Sequence, residues 1–137
     1  MSIEIKTTWK GNMRFESTNP GGNLFIDGAS ENDANGYRPK ALMLSSLAGC
    51  SGLDIVSLLK KMRAEVDNLE IDVTANLTEE HPKYYDKVHV AYKFYGSGFK
   101  KDKIKKAVIL SEEKYCGVME MFRQFAEVTT EIIYKEQ

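Results

Sequence analysis

The 137-residue sequence predicts an α+β fold. Three observations lead there. Several short segments alternate polar and apolar residues with the period of a strand. Two longer segments keep helical spacing. The strands come in runs, before the first helix and between the two helices, instead of alternating with helices one for one. Hydrophobic residues make up 42% of the chain, enough for a core, so a single domain over 1–137 is expected.

Ser2 to Lys10 reads as a strand with Ile3, Ile5 and Thr7 on one face. "KGN" at 10–12 is a turn, and Met13 to Ser17 returns as its hairpin partner. "NPGGN" at 19–23 turns the chain again into a short strand, Leu24 to Asp27. Residues 28–37, rich in glycine and asparagine, are a loop. Pro39 opens a helix, where its fixed φ and missing N–H do no harm. That helix runs to about Arg63 and ends on Lys60, Lys61 and Arg63, cations suited to its negative end. Asp67 to Thr78 and Lys87 to Tyr95 alternate as two strands that pair antiparallel. Lys101 to Tyr115 is a second helix with Ile104, Ala107, Val108 and Ser111 inward, and Gly117 is placed to end it as a C-cap. Residues 118–125 form a short helix, and the β-branched run Val128 to Tyr134 a closing strand.

Charge excludes several functions. Charged residues make up 28% and nearly cancel, for a net charge of -1. Nucleic-acid binding needs a strong basic excess, and "GFKKDKIKK" at 98–106 reads as a solvated helix face because Glu112 and Glu113 follow. The N-terminus alternates and lacks the apolar run of a secretory signal. Ala41 to Leu59 is long enough to suggest a membrane span, but Gly49, Gly52, Asp54 and its serines make it a core helix. A cytoplasmic protein with no membrane partner is expected, and there cysteines stay reduced. His81 and His89 have no metal-ligand spacing to each other or to a cysteine, so no metal is expected, and no glycine-rich cofactor fingerprint appears.

The first helix is apolar nearly all round. One face carries Met43, Leu47, Cys50, Leu53 and Ser57; the other carries Ala41, Leu44, Ala48, Ile55 and Leu59. A single sheet of five or six short strands covers one side only. The spacings Ala48–Gly52 and Ser45–Gly49 allow a second backbone to approach, so a homodimer burying these helices is expected. The alternative is a monomer in which the second helix completes the cover.

Cys50 sits in the middle of this helix among Ala48, Gly49, Ser51 and Gly52. A free cysteine is common core filler, but these small neighbours leave open space beside the sulfur. Cys116 lies where one helix ends and another begins. There the first N–H groups of the short helix point at its sulfur and favour thiolate. Asp54, one turn from Cys50 on the same face, works against a Cys50 thiolate. Activating Cys50 therefore needs a cation, and the arginines are Arg14, Arg38, Arg63 and Arg123.

"GYRPKALMLSSLAGCSGLDIVSLLKK" at 36–61, followed by "LSEEKYCGV" at 110–118, resembles the OsmC/Ohr family of stress-related thiol proteins, closest to an uncharacterised OsmC-like branch. The resemblance implies an intertwined α+β homodimer with both active sites at the subunit interface. It also implies reduction of organic hydroperoxides, with Cys50 as peroxidatic thiol, Cys116 as resolving thiol and an external dithiol as reductant. Peroxide-reducing members carry a glutamate just after the helix-opening proline, paired with an arginine from the N-terminal part that activates the thiol. Here Lys40 follows Pro39, and Arg14 is the arginine that precedes the loop, so Arg14 and Lys40 are the candidate activating cations. The competing readings are a binding module that holds an apolar small molecule at the dimer interface, with redox-sensing or inert thiols, and a purely structural dimer.

Overall fold

In a computed structural model of the protein, residues 1–30 and 32–137 are described; Glu31, inside the expected 28–37 loop, lies outside them. The described chain divides into two compact units, Met1–Met43 and Leu44–Gln137. Its strands form two three-stranded sheets, not the one sheet of five or six that the spacing suggested.

The first unit is an antiparallel meander of β1 (Lys6–Trp9), β2 (Arg14–Asn19) and β3 (Gly22–Asp27). The "KGN" turn uses left-handed backbone at Gly11 and Asn12, and the Trp9 indole donates to the Asn12 carbonyl at 2.9 Å. The strand expected from Ser2 begins only at Lys6, and β1 is exposed throughout, with Ile3 and Ile5 exposed before it. At the end of β3 the buried Asp27 carboxylate accepts the backbone N–H groups of Ala29 (2.8 Å) and Asn35 (3.0 Å). It thereby closes the loop on itself. Gly36 is required beside it. Its φ is +150°, and a Cβ there would come within 2.7 Å of the Phe25 carbonyl oxygen.

The helix α1 runs Pro39–Lys61, beginning at the expected proline. Arg63 takes the left-handed conformation (φ 56°) that ends a helix. Two lysines of the 98–106 run bind carbonyls at this end: Lys100 Nζ donates to Arg63 O and Lys103 Nζ to Met62 O, each at 2.9 Å. Those lysines therefore serve a structural purpose beyond solvation.

In the second unit, β4 (Asn68–Leu77) pairs antiparallel with β5 (Tyr85–Gly96), as expected, and β5 pairs parallel with β6 (Glu127–Glu136). A parallel pair needs a crossover. It is supplied by α2 (Lys101–Leu110), a π-helical turn (Ser111–Tyr115) and α3 (Gly117–Arg123). β5 is the central strand, and Val88, Val90, Tyr92 and Phe94 are buried along it. The edge of α1 formed by Leu47, Ser51, Ile55 and Leu59 is buried with them. By length and composition α1 is apolar enough to cross a bilayer. This edge instead joins the core around β5 through the Ser51–Tyr92 hydroxyl contact. Gly52 lets the helix approach β4 closely, since a Cβ there would stand 3.0 Å from Ile71 Cδ1. The far side of the helix is not covered by α2: Leu53 is 77% and Val56 57% exposed.

Candidate functional site

The second unit brings the two cysteines together. Cys50 comes from the middle of α1 and Cys116 from the start of α3. Their sulfurs and an Asp54 carboxylate oxygen all lie within 4.8 Å of one another. Cys50 and Asp54 are four apart, so they project from one face of the helix. Both cysteines are free, Cys50 half-buried and Cys116 buried.

Cys116 reaches this position because the second helix does not run regularly to Tyr115. The backbone widens into the π-helical turn, where the Cys116 N–H bonds the Ser111 carbonyl at 2.8 Å, and the chain then turns extended at Cys116 (φ −80°, ψ 97°). Such insertions recur at functional sites. Cys116 caps α3, while Gly117, expected as a C-cap, is the first residue of that helix.

The Met119 N–H points at the Cys116 sulfur (3.3 Å), as the sequence suggested. The expected consequence is reversed. Burial pushes the Cys116 thiol up to about 11, and neighbouring Cys50 and Asp54 add to this against the Met119 hydrogen bond. One N–H donor does not offset the loss of water around the charged sulfur, so Cys116 is a protonated thiol at neutral pH.

Behind the thiols lies a buried hydroxyl chain that the sequence did not reveal. Tyr92 OH meets Ser51 Oγ at 2.9 Å, Ser51 Oγ meets Ser111 Oγ at 3.2 Å, and Ser111 Oγ donates to Asp54 Oδ2 at 3.1 Å. Tyr92, Ser51 and Ser111 are all fully buried. Burial pushes the Tyr92 hydroxyl up to about 12. Glu112, beside it in the π-helical turn, has one carboxylate oxygen, Oε1, buried and without a hydrogen-bond partner. In the sequence, Ser111 stood out on the otherwise apolar inner face of the second helix, while Ser51 was read as a small neighbour of Cys50.

The candidate cations lie in the first unit. The Arg14 guanidinium stacks on the Phe25 ring (3.8 Å to its centroid). The backbone N–H groups of Ala29 and Asn35 hold the Asp27 carboxyl below its ordinary range, and the charges of Arg14 and Arg38 add to that. Lys40 is exposed in the first turn of α1. Of the other arginines, Arg123 pairs with Glu120 at 3.8 Å. Neither histidine belongs to the thiol–carboxylate trio; His89 bonds Thr129 and faces Glu131. A closed structural zinc centre takes four protein donors, and the thiol–carboxylate trio supplies three.

A groove of about 590 Å³ runs between α1 and β4, lined by Gly49, Gly52, Leu53, Val56, Leu69 and Ile71 among others. Neither cysteine lines it. Of the small residues around Cys50, Gly49 and Gly52 thus open space on the β4 side of the helix, while Ser51 is buried in the hydroxyl chain.

An α+β fold with paired cysteines on a central helix and at the head of a crossover helix defines a class of two-thiol proteins. The sequence model of the OsmC-like proteins matches residues 30–131, and the chain belongs to that family. It is 29% identical over 128 residues to protein YhfA of Escherichia coli K12, covering 93% of this chain and 94% of that one. Among solved structures, a hypothetical protein of Aquifex aeolicus VF5 superposes with a TM-score of 0.83 at 28% identity, over 98% of both chains. An organic hydroperoxide resistance protein OsmC of Legionella pneumophila shares the fold, with a TM-score of 0.70 at 15% identity over 97% of both chains.

Proposed function

We propose that the protein reduces organic hydroperoxides with its two cysteines and works as one domain, residues 1–137, in a cytoplasmic homodimer. The observation that carries this is the approach of the Cys50 and Cys116 sulfurs to within 4.8 Å. Cys50, the more exposed of the two, attacks the peroxide as thiolate. The O–O bond breaks, the alcohol leaves, and Cys50 becomes a sulfenic acid. Cys116 condenses with it to a disulfide and releases water. An external dithiol then restores both thiols by exchange. Arg14 and Lys40 are the cations assigned to assisting Cys50, and slower alkylation of Cys50 in Arg14→Gln or Lys40→Gln identifies which one acts.

The dimer is supported by what the single chain leaves uncovered: Leu53 and Val56 on α1 and the N-terminal Ile3 and Ile5, all exposed. Apolar surface of this kind marks an interface. The test of the activity is consumption of cumene hydroperoxide with a dithiol by wild type and by Cys50→Ser. A wild type no faster than the variant removes the proposal.

The groove between α1 and β4 supports a second reading, in which an apolar small molecule is held beside Leu53 and Val56 and the thiols sense redox state or are inert. Native mass spectrometry of protein taken directly from cells decides it: a retained ligand favours binding, and a bare dimer removes that reading.

A further inference from the structure

The disulfide-forming step poses a problem that the two cysteines do not solve. The thiol that must attack, Cys116, is 3% exposed and carries its proton. A thiol is a poor nucleophile, and the thiolate does the work. Something must take that proton as the S–S bond forms, and the leaving oxygen needs one.

Asp54 is placed to do both. Its carboxylate oxygen lies within 4.8 Å of the sulfur that loses the proton and of the sulfur that carries the leaving oxygen. It is held from behind. A carboxylate only accepts hydrogen bonds, so Ser111 must donate to Asp54 Oδ2, and Ser111 is itself fixed by Ser51, which Tyr92 anchors. Three fully buried hydroxyls on α1, β5 and the π-helical turn thus aim one half-buried carboxylate at two thiols. The titratable groups around it are Cys50 on its own helix, Cys116 at the head of α3 and, behind the serines, Tyr92 and Glu112. Buried polar chains of this kind restrict their members to one geometry.

We propose that Asp54 is the general base of disulfide formation between Cys116 and Cys50. This rests on the two-thiol reading above. The Cys116 proton passes to the Asp54 carboxylate while the Cys116 sulfur bonds to the Cys50 sulfur. The S–O bond of the sulfenic acid breaks, and the departing oxygen takes the proton from Asp54 as water. One thiol and one sulfenic acid become one disulfide and one water: Cys116 is oxidised, Cys50 is reduced, and Asp54 is regenerated.

A charge that merely sat beside the thiols would have the opposite effect. Asp54 raises the Cys116 thiol, so removing the charge would release more thiolate and speed the attack. A base that is removed slows it, typically by 10²–10⁴-fold.

The test forms a mixed disulfide at Cys50 with methyl methanethiosulfonate and follows, by rapid-quench mass spectrometry, the displacement of methanethiol by Cys116. No peroxide enters this assay. Asp54→Asn is expected to slow displacement by roughly 100-fold at pH 7, with Asp54→Glu recovering much of the rate. Wild type alone gives a further readout: a nearly flat rate between about pH 6 and 9, where unassisted thiolate attack would rise about tenfold per pH unit. Equal or faster displacement in Asp54→Asn, or a tenfold-per-unit slope in wild type, overturns the proposal. If displacement behaves as expected but cumene hydroperoxide leaves Cys50 unoxidised, the peroxidase reading fails and the role of Asp54 stands.

Discussion

Removing the Tyr92 hydroxyl tests whether the buried hydroxyl chain acts as a unit. Tyr92→Phe keeps the ring and its packing and leaves no cavity. It deletes the hydroxyl's 2.9 Å contact to Ser51. Ser51 retains Ser111 at 3.2 Å, so its hydroxyl is not orphaned. The cost is therefore that of one net hydrogen bond, about 1 kcal/mol. Ser51→Ala is more severe, because Ser51 bridges two fully buried partners. Its loss weakens both, for about 2–3 kcal/mol. In the double variant the Tyr92 hydroxyl is no longer present to be left short of a partner. The double variant is then expected to fall short of the sum of the singles by about 1 kcal/mol. Urea unfolding of the four proteins, with the m-value unchanged, measures this, and thermal midpoints follow at a few °C per kcal/mol. Strict additivity, with coupling below about 0.3 kcal/mol, would refute the view that these hydroxyls depend on one another.

Three further outcomes follow from the structure. The Cys116 thiol stands at about 11 in the folded chain against an ordinary 9.0; a raised value keeps the folded state protonated where the unfolded chain has ionised. Its contribution is complete below about pH 9 and lost between about pH 9 and 11, roughly 2–3 kcal/mol in all; alkaline unfolding curves should flatten by that amount in Cys116→Ala. Leu53→Glu changes a side chain that is 77% exposed in the single chain, so its cost to the fold of one protomer stays within about 0.5 kcal/mol. In a dimer sealed by α1 it should give monomers in sedimentation velocity, and an unchanged sedimentation coefficient would count against that interface. Arg63, at φ 56°, holds a conformation that glycine adopts freely, so Arg63→Gly should gain about 0.5–1 kcal/mol in the same unfolding assay.

The elements were legible in the sequence because their patterns are strong. β4 and β5 alternate over long runs, and both ends of α1 carry chemistry, Pro39 at the start and paired lysines at the finish. What escaped was set by tertiary contact. Ile3 and Ile5 alternate like a strand, but β1 starts only at Lys6. "SEEKY" continues a helical pattern, so nothing local marks the widened turn that moves Cys116 into position. The proximity of the thiols could be read only through the resemblance between paired motifs. Ser51, Ser111 and Tyr92 lie far apart in the chain, and no periodicity links a hydroxyl on one element to a hydroxyl on another. Asp54 was read as a deterrent to thiolate formation, and it does raise Cys116. Its hydrogen bond to Ser111 and its reach to both sulfurs emerged only from packing. An N–H at the start of the short helix was expected at the Cys116 sulfur, and Met119 supplies it, but that expectation left out burial, the larger effect.

The central claim is that Cys50 and Cys116 act on a peroxide as a pair. Reduced protein treated with one equivalent of cumene hydroperoxide, then mapped by mass spectrometry, addresses it directly. The account predicts one molecule of alcohol released per chain, loss of two hydrogens, and a peptide joining Cys50 to Cys116, all absent in Cys50→Ser. Unreacted peroxide, or a Cys50 carried on to sulfinic acid beside a free Cys116, would contradict it.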